Sequence, residues 1–512
     1  MQHKLFLRCL FARSADANLR AVNSLSETID VRTHGVYPNA SADQSSLLHT
    51  AFTAAAGQAL FMPPGDYKSE SALTLPDDTV LLARDARIYN TGAAATMIHL
   101  NSGCQVFGLE LEGTGNASYV DAGRGFSIIG TVSSYKSNIL LEDCYVHDFS
   151  GYGVFSEFPE HVKINRGRYF DIGHAGIQAK SPRHWNIYRT HIKGVTPGDA
   201  VGNAYGITFT RQSSTDTVNF PKPKDCAAER NLIEDVDIWE GLDTHSGEDC
   251  KFINNVVLNC KVGIAAVSTG VGSDEYAAPM RTLIQGNTII GNGTGSGIQV
   301  AGAKVFGQVG TWNELAEGNI VANNILEDCG QAENSNNGAI YVVTTRRTVV
   351  SGNTVKRPRP HGILFYFDNY GFVIDGNSVE DPFDNVVTVP GGIVMRAENN
   401  QGIVSGNTLE RLNAALGTYV AVRGIYVVSN ATTFLTIGPN RNTFTTPIYG
   451  ATGAKYHYGT LASGVHIYSG NGSPEGVITA PVGSLYLRLD GGSGTTLYVK
   501  QVGSDEYGWS GK

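Results

Sequence analysis

Leu283-Ile284-Gln285-Gly286-Asn287-Thr288-Ile289-Ile290-Gly291-Asn292-Gly293-Thr294-Gly295-Ser296-Gly297-Ile298-Gln299-Val300 holds one repeat of the chain. It reads as a short apolar strand, a polar turn carrying Gly-Asn, a second short strand, and a Gly-aliphatic step that opens a third. The Gly-aliphatic step recurs at Gly153-Val154, Gly176-Ile177, Gly206-Ile207, Gly241-Leu242, Gly263-Ile264, Gly362-Ile363 and Gly424-Ile425. Gly-Asn recurs at Gly352-Asn353, Gly376-Asn377 and Gly406-Asn407, and Asn254-Asn255 and Asn323-Asn324 fill the same place. Three short strands and three turns need a little over 20 residues at about 3.3 Å per strand residue. Longer intervals are then loops inserted at turns. No such unit buries its own apolar face, whereas a stack of them makes one continuous core. Asn side chains can hydrogen-bond along the stack, and Gly or Asn supplies the turn angles. The expected fold is all-β, a right-handed parallel β-helix.

Composition agrees. Charged residues are 17% of the 512, below the usual quarter, and there are 61 glycines. A net charge of −9 excludes a broad nucleic-acid surface and fits poorly with anionic membranes, but leaves room for a local basic groove. The seven cysteines form no CxxC pair or Cys/His cluster, so buried thiols are expected rather than zinc or a disulfide framework. No apolar run is long enough to span a bilayer, and Met1 to Ala12, interrupted by Arg8, is a weak secretory signal.

The segment from Val31 to Tyr67 differs from the repeats. Thr33-His34-Gly35, Ser41-Ala42-Asp43-Gln44, a helix-like run from Ser46 to Ala56 and Pro63-Pro64-Gly65-Asp66-Tyr67 resemble the opening of the pectate-lyase-like β-helix superfamily common among phage tailspikes. That resemblance implies a helix capping the open end of the solenoid. The tail, with Gly483-Ser484-Leu485-Tyr486, Asp490-Gly491-Gly492 and Leu497-Tyr498-Val499-Lys500, resembles the short β-rich C-terminal module of phage tail fibres and tailspikes. The organisation expected is an N-terminal arm (1–30), a capping segment with the first coils (31–90), the β-helix (91–430) and a C-terminal trimerisation or tail module (431–512).

If the aliphatic residue after each Gly points inward, the residues two and four beyond the Gly face outward. The first outer row is Phe155, Gln178, Thr208, Asp243, Ala265 and Gln299. The second is Glu157, Lys180, Thr210, His245 and Val267. Only the coil Ile238-Trp239-Glu240-Gly241-Leu242-Asp243-Thr244-His245-Ser246-Gly247-Glu248-Asp249 places titratable residues in both rows. Catalytic candidates are Asp243, His245, Glu240 and Lys180. Trp239, Glu157, Gln178, Arg211, Glu248 and Tyr205 are candidates for holding a glycan, with Tyr152 and Trp185 as further aromatics for its floor. Glu240-Gly241-Leu242-Asp243-Thr244-His245 resembles the Tyr-Gly-Phe-Asp-Pro-His catalytic strand of β-helix alginate epimerases and lyases, with Glu240 in place of Tyr and Thr244 in place of Pro.

Two reactions suit these groups. In β-elimination His245 takes the proton beside a uronate carboxyl, Lys180 or Arg211 neutralises that carboxylate, and Asp243 orients His245. In hydrolysis, Glu240 with Asp243, or Asp237 with Glu248, flanks the glycosidic bond. The structural reading of the same residues has Asp243 capping a turn or pairing with Lys180, Glu248 and Asp249 on a solvated loop, and His174 and His184 as structural residues. Asp199 and Asp216 fall in a loop inserted between Thr196 and Lys224. No cofactor is expected; calcium, if present, would use Asp243, Glu248 and Asp249. Together the resemblances imply a homotrimeric phage tailspike depolymerase, outside the cell on a phage tail or baseplate. It would cleave a bacterial surface or exopolysaccharide by β-elimination, with hydrolysis, C5 epimerisation or glycan binding without cleavage as alternatives.

Overall fold

A computed structural model describes residues 28–93, 95–197, 202–211, 216, 218–269, 277–291, 293–303, 315–332, 334–383, 389–413, 422–428, 434–444, 446–450, 455–460 and 465–512. The expected N-terminal arm, apart from the strand Thr28–Asp30, lies outside the described residues, as do Cys9 and Asp199. The chain divides into two units, one up to Ala179 with Arg183–Asn203, the other Lys180–Pro182 with Ala204–Lys512.

Each unit winds through three parallel sheets. In the first unit one sheet runs from Ala59–Phe61 through Val80–Leu82, Gln105–Phe107 and Lys136–Glu142 to Pro159–Asn165. The second runs from Leu73–Leu75 through Ile98–Leu100 and Arg124–Ile129 to Tyr152–Glu157. The third includes Ala86–Tyr89, Glu110–Glu112, Tyr145–Phe149 and Arg168–Ile172. The expected capping helix is present as Ser45–Ala54, with Leu48, Ala51 and Phe52 buried over the strand Leu73–Leu75. The Asp43 carboxylate accepts the Ser45 and Glu70 amides (both 3.1 Å), tying the helix start to the coil beneath. Tyr67 is fully buried and donates its hydroxyl to Pro63 O (2.8 Å), closing the Pro63–Tyr67 turn.

In the second unit the short strands follow one rule. The central residue of Lys251–Ile253, Leu283–Gln285 and Val349–Ser351 is buried and its neighbours are not. Each buried Ile, Val or Phe contributes roughly 1.5–3 kcal/mol over leaving it exposed. The turns are where the polar repeat acts. Asn231, Asn255, Asn287, Asn324, Asn353, Asn377, Asn407 and Asn440 form one continuous ladder. Each Oδ1 from Asn255 onward accepts the backbone N–H and the side-chain Nδ2 of the rung before, at 2.9–3.0 Å. The Nδ2 of each rung from Asn255 to Asn407 also donates to a core carbonyl such as Val321 O (2.9 Å). The residue before each rung from Asn231 to Asn407 turns the chain through a left-handed conformation, whether it is Gly286 (φ 68°) or Asn254 (φ 55°). Sequence separation between rungs ranges from 24 to 37 residues.

Cys104, Cys144, Cys226, Cys250, Cys260 and Cys329 are buried thiols, as composition suggested. The chain ends in a small β module of strands His466–Gly470, Leu485–Arg488, Leu497–Lys500 and Trp509–Gly511. Its core joins Tyr468, Ile478, Ala480, Tyr486, Tyr498 and Trp509. Lys500 has a fully buried side chain and donates to Asp505 O (2.8 Å) and to Tyr507 O, which satisfies the charge. The expected right-handed parallel β-helix, capping helix and small β-rich C-terminal piece are thus the fold.

The ladder makes a stability prediction. Asn353→Ala leaves the Asn324 amide without its acceptor and its Nδ2 with only Ile284 O, and an orphaned buried donor costs about 1–3 kcal/mol. Chemical denaturation will show a loss of at least that size, against a change within about 0.5 kcal/mol for the exposed control Lys163→Ala. A shift no larger than the control's would sink the ladder's role.

Candidate active site

The strand Glu240–His245 lies between Tyr205–Thr210 and Val262–Val267 in the second sheet of the second unit. Its register places Thr208, Asp243 and Ala265 side by side, as the sequence rows anticipate. Leu242 and Thr244 face the core. Thr244 is fully buried and lies against Cys250 Sγ (3.8 Å), and its register partner Phe209 stacks on Phe252 (6.1 Å). Asp243 and His245 therefore face outward. Glu240 opens the same strand and pairs with Tyr205 and Val262. A Cβ on Gly241 would strike Val257 (2.8 Å) and Cys260 (3.0 Å), so only glycine fits the inward step between Glu240 and Leu242.

The outward face is not open. Asp243 has no solvent exposure and Glu240 has 3%, so two carboxyls are buried on one strand. Thr208 Oγ1 donates to Asp243 Oδ2 (2.7 Å), and His245 Nε2 lies 3.7 Å from the same oxygen. Asp243 Oδ1 and Glu240 Oε2 have no hydrogen-bond partner among the described residues. His245 Nδ1 meets Thr210 Oγ1 (3.2 Å), and the Tyr205 ring stands edge-on to the imidazole (6.1 Å, 90°).

Burial drives the Glu240 carboxyl well above the ordinary carboxylate range, and the Asp243 charge drives it further. Burial also raises Asp243, opposed by His245 and by the Thr208 hydrogen bond. The pair therefore splits. Glu240 holds a proton longest, and Asp243 ionises first with support from Thr208 and His245.

The other candidates scatter. Trp239 is half-buried at the turn, with Lys261 Nζ 4.7 Å from its ring centroid. Lys261 was not a sequence candidate, yet it is the cation that opposes the upward shift of Glu240. Its only signal was a lysine just before the Gly263 step, one coil along from Trp239. Arg211 is buried and donates Nε to Phe220 O (2.8 Å), which ties it to the inserted loop. Lys180 is half-buried, and the next residue, Ser181, donates its amide to Thr210 O (2.7 Å). Gln178 and Glu157 belong to the first unit; Gln178 is buried and Glu157 half-buried. Asp216 accepts the Val218 and Asn219 amides of its own loop.

Glu248 is not brought to the pair. Arg281 binds Glu248 Oε1 (2.5 Å) and Asp249 Oδ1 (2.7 Å), so both carboxylates are held in ion pairs where a solvated loop was the structural reading. Asp243, Glu248 and Asp249, the residues named for calcium, do not form one of the ligand groups found among the described residues. Among the described residues, two other groups bring possible metal-ligand atoms within 4.8 Å of one another: Glu110, Glu112 and His147, and Glu160, His161 and His184. Arg87 already binds Glu112 (2.6 Å) and Asp148 binds His147 (2.7 Å).

No protein-family model matches the sequence, and no curated protein matches it significantly. Solved structures do. The catalytic unit of a thermostable GH87 α-1,3-glucanase from Streptomyces thermodiastaticus strain HF3-3 aligns with a TM-score of 0.52 at 15% identity, over 83% of this chain and 70% of that one. A PL6 alginate lyase in complex with a trisaccharide aligns with a TM-score of 0.50 at 13% identity, over 80% of this chain and 90% of that one. Bacteriophage CBA120 tailspike protein 3 aligns with a TM-score of 0.48 at 12% identity, over 96% and 69%. The first two place the chain in the right-handed parallel β-helix fold.

The raised Glu240 carboxyl sets the sign of a pH effect. As pH rises past about 4.3, the unfolded chain loses this proton while the folded chain keeps it, so stability falls until Glu240 itself ionises. Glu240→Gln removes that loss. The variant will melt above the wild type in alkaline buffer, and the two will converge in acid. A difference of equal size at both ends would contradict the shift.

Proposed function

We propose that this protein is a polysaccharide depolymerase that hydrolyses a glycosidic bond between Glu240 and Asp243. The observation that carries the reading is the buried carboxyl pair, each member with one oxygen left without a partner among the described residues. Buried polar atoms are normally satisfied, so such orphans mark a place where a ligand atom belongs. Glu240, kept protonated, is the general acid that donates to the leaving oxygen. Asp243, ionised and steadied by Thr208 and His245, is the nucleophile or base. A sugar reaching Asp243 must part the cover that now excludes water from it, and that exclusion strengthens the charge interactions in the closed site.

The fold shared with a glucanase and an alginate lyase supports a long glycan as substrate. His245 beside Asp243 keeps β-elimination as a second reading, in which Lys261 supplies the cation that elimination at a uronate requires. The tailspike-like ends of the sequence support a homotrimer on a phage tail acting on a bacterial surface polysaccharide. No helix among the described residues is long and apolar enough to cross a membrane.

The test is incubation with a panel of neutral and acidic bacterial polysaccharides, scoring reducing ends and unsaturated ends separately. Glu240→Gln and Asp243→Asn will each lower kcat by roughly 10²–10⁴-fold, the usual worth of positioned acid–base groups. Reducing ends without unsaturation are expected. Unsaturated ends that vanish in His245→Ala would replace hydrolysis by elimination.

A further inference from the structure

In the first unit the loop 113–123 joins Glu110–Glu112 to Arg124–Ile129. It folds back so that the Tyr119 ring meets Tyr152 edge-on (6.4 Å, 77°) and tilts against His174 (5.3 Å). Tyr152 and His174 touch each other as well (5.2 Å, 75°), so three rings enclose one corner. The polar atoms converge there. The Tyr119 and Tyr152 hydroxyl oxygens are 3.0 Å apart, and each lies 3.2 Å from Asp121 Oδ1. Arg124 donates Nε to Asp121 O (2.7 Å) and Nη2 to Asp121 Oδ2, and its guanidinium lies over the Phe155 ring at 3.6 Å. The Arg124 position is fixed in turn by register, since Arg124 pairs with Tyr152 across the sheet.

This is more than a loop anchor requires. The Asp121 side chain remains 57% exposed although it accepts from two phenols and an arginine. A planar carboxylate and a planar guanidinium are locked side by side, next to the half-buried Tyr119 ring, at no further ordering cost to a ligand. Burial holds the Tyr152 phenol protonated, so it can only act as a neutral hydroxyl. Beside the corner, the buried Ser150 hydroxyl has no partner among the described residues and lines a shallow depression with Gly123, Asn90 and Thr114. The Asp121 carboxylate is already committed to Tyr119, Tyr152 and Arg124, which argues for holding rather than cutting.

We propose that Tyr119, Asp121, Arg124 and Tyr152 form a second glycan-holding site that takes one neutral pyranose unit. The ring face of the sugar lies on Tyr119, which the buried Tyr152 backs, and a vicinal hydroxyl pair bridges the Asp121 carboxylate and the Arg124 guanidinium. A neutral unit is specified because Asp121 already offsets the Arg124 charge and faces solvent itself. The proposal rests on the polysaccharide reading above, but on different residues.

The test uses the whole protein as Glu240→Gln, so that binding is scored without cleavage, on immobilised neutral and acidic bacterial polysaccharides. Tyr119→Ala and Asp121→Asn added to it will weaken retention on neutral polymers by about tenfold or more, roughly 1.4 kcal/mol. Tyr119→Phe, which keeps the ring, will lose less. In the otherwise wild-type enzyme, Tyr119→Ala will raise KM on polymer and leave kcat unchanged. Unchanged retention in a folded Tyr119→Ala protein would overturn the site, as would retention on none of the polymers. So would an equal loss in kcat, which indicates a structural role. Retention that depends on Tyr119 in a protein that cleaves nothing would keep this site and discard the hydrolase.

Discussion

The second unit depends on one hydrogen-bonding pattern, the asparagine ladder from Asn231 to Asn440. A parallel coil turns its chain sharply three times, and each turn threatens to bury backbone groups without partners. An asparagine solves this locally, because one side chain accepts two donors from the preceding rung and donates to a core carbonyl. It also locks register, since a strand slipped by one residue would send its rung to the other face. Serine is too short for this, and aspartate would lose the donor. The ladder holds strands such as Tyr205–Thr210 and Glu240–His245 in a fixed relation and so permits a constellation built from side chains on separate coils.

Glu240 and Asp243 exploit that rigidity. Two carboxyls on one strand are costly to bury. The cost is tolerated because Thr208 meets Asp243 by register from the next strand and His245 by alternation along the same strand, neither through a flexible loop. The same scaffold leaves Glu240 with little compensation beyond Lys261, so the two acids diverge. Asymmetry between acids on neighbouring positions arises here from which neighbours the coils supply.

Much of this was legible in the sequence. Gly286-Asn287 and Asn254-Asn255 looked equivalent because both supply a left-handed residue followed by a rung, and the backbone angles bear that out. The outer rows through Thr208 and Asp243 followed from period-two alternation. What alternation misses is the doubled inward step at Gly241-Leu242, which moves Glu240 into the strand and onto the outer face. Burial of that face was equally hidden, since alternation gives direction and not cover. Lys261, Tyr119 and Asp121 were invisible for another reason. They act through neighbours from other coils or from a loop that folds back, and no local pattern records such meetings.

Rung spacing from 24 to 37 residues has an evolutionary side. The ladder constrains one corner of each coil and leaves the length of the remainder free. Closing a longer loop costs only about 0.6 kcal/mol per doubling. Recombination between rungs can therefore exchange whole loops while the core and the register survive. A lineage can therefore rewrite the surface of this solenoid in cassettes, with the asparagines as the fixed joints between them.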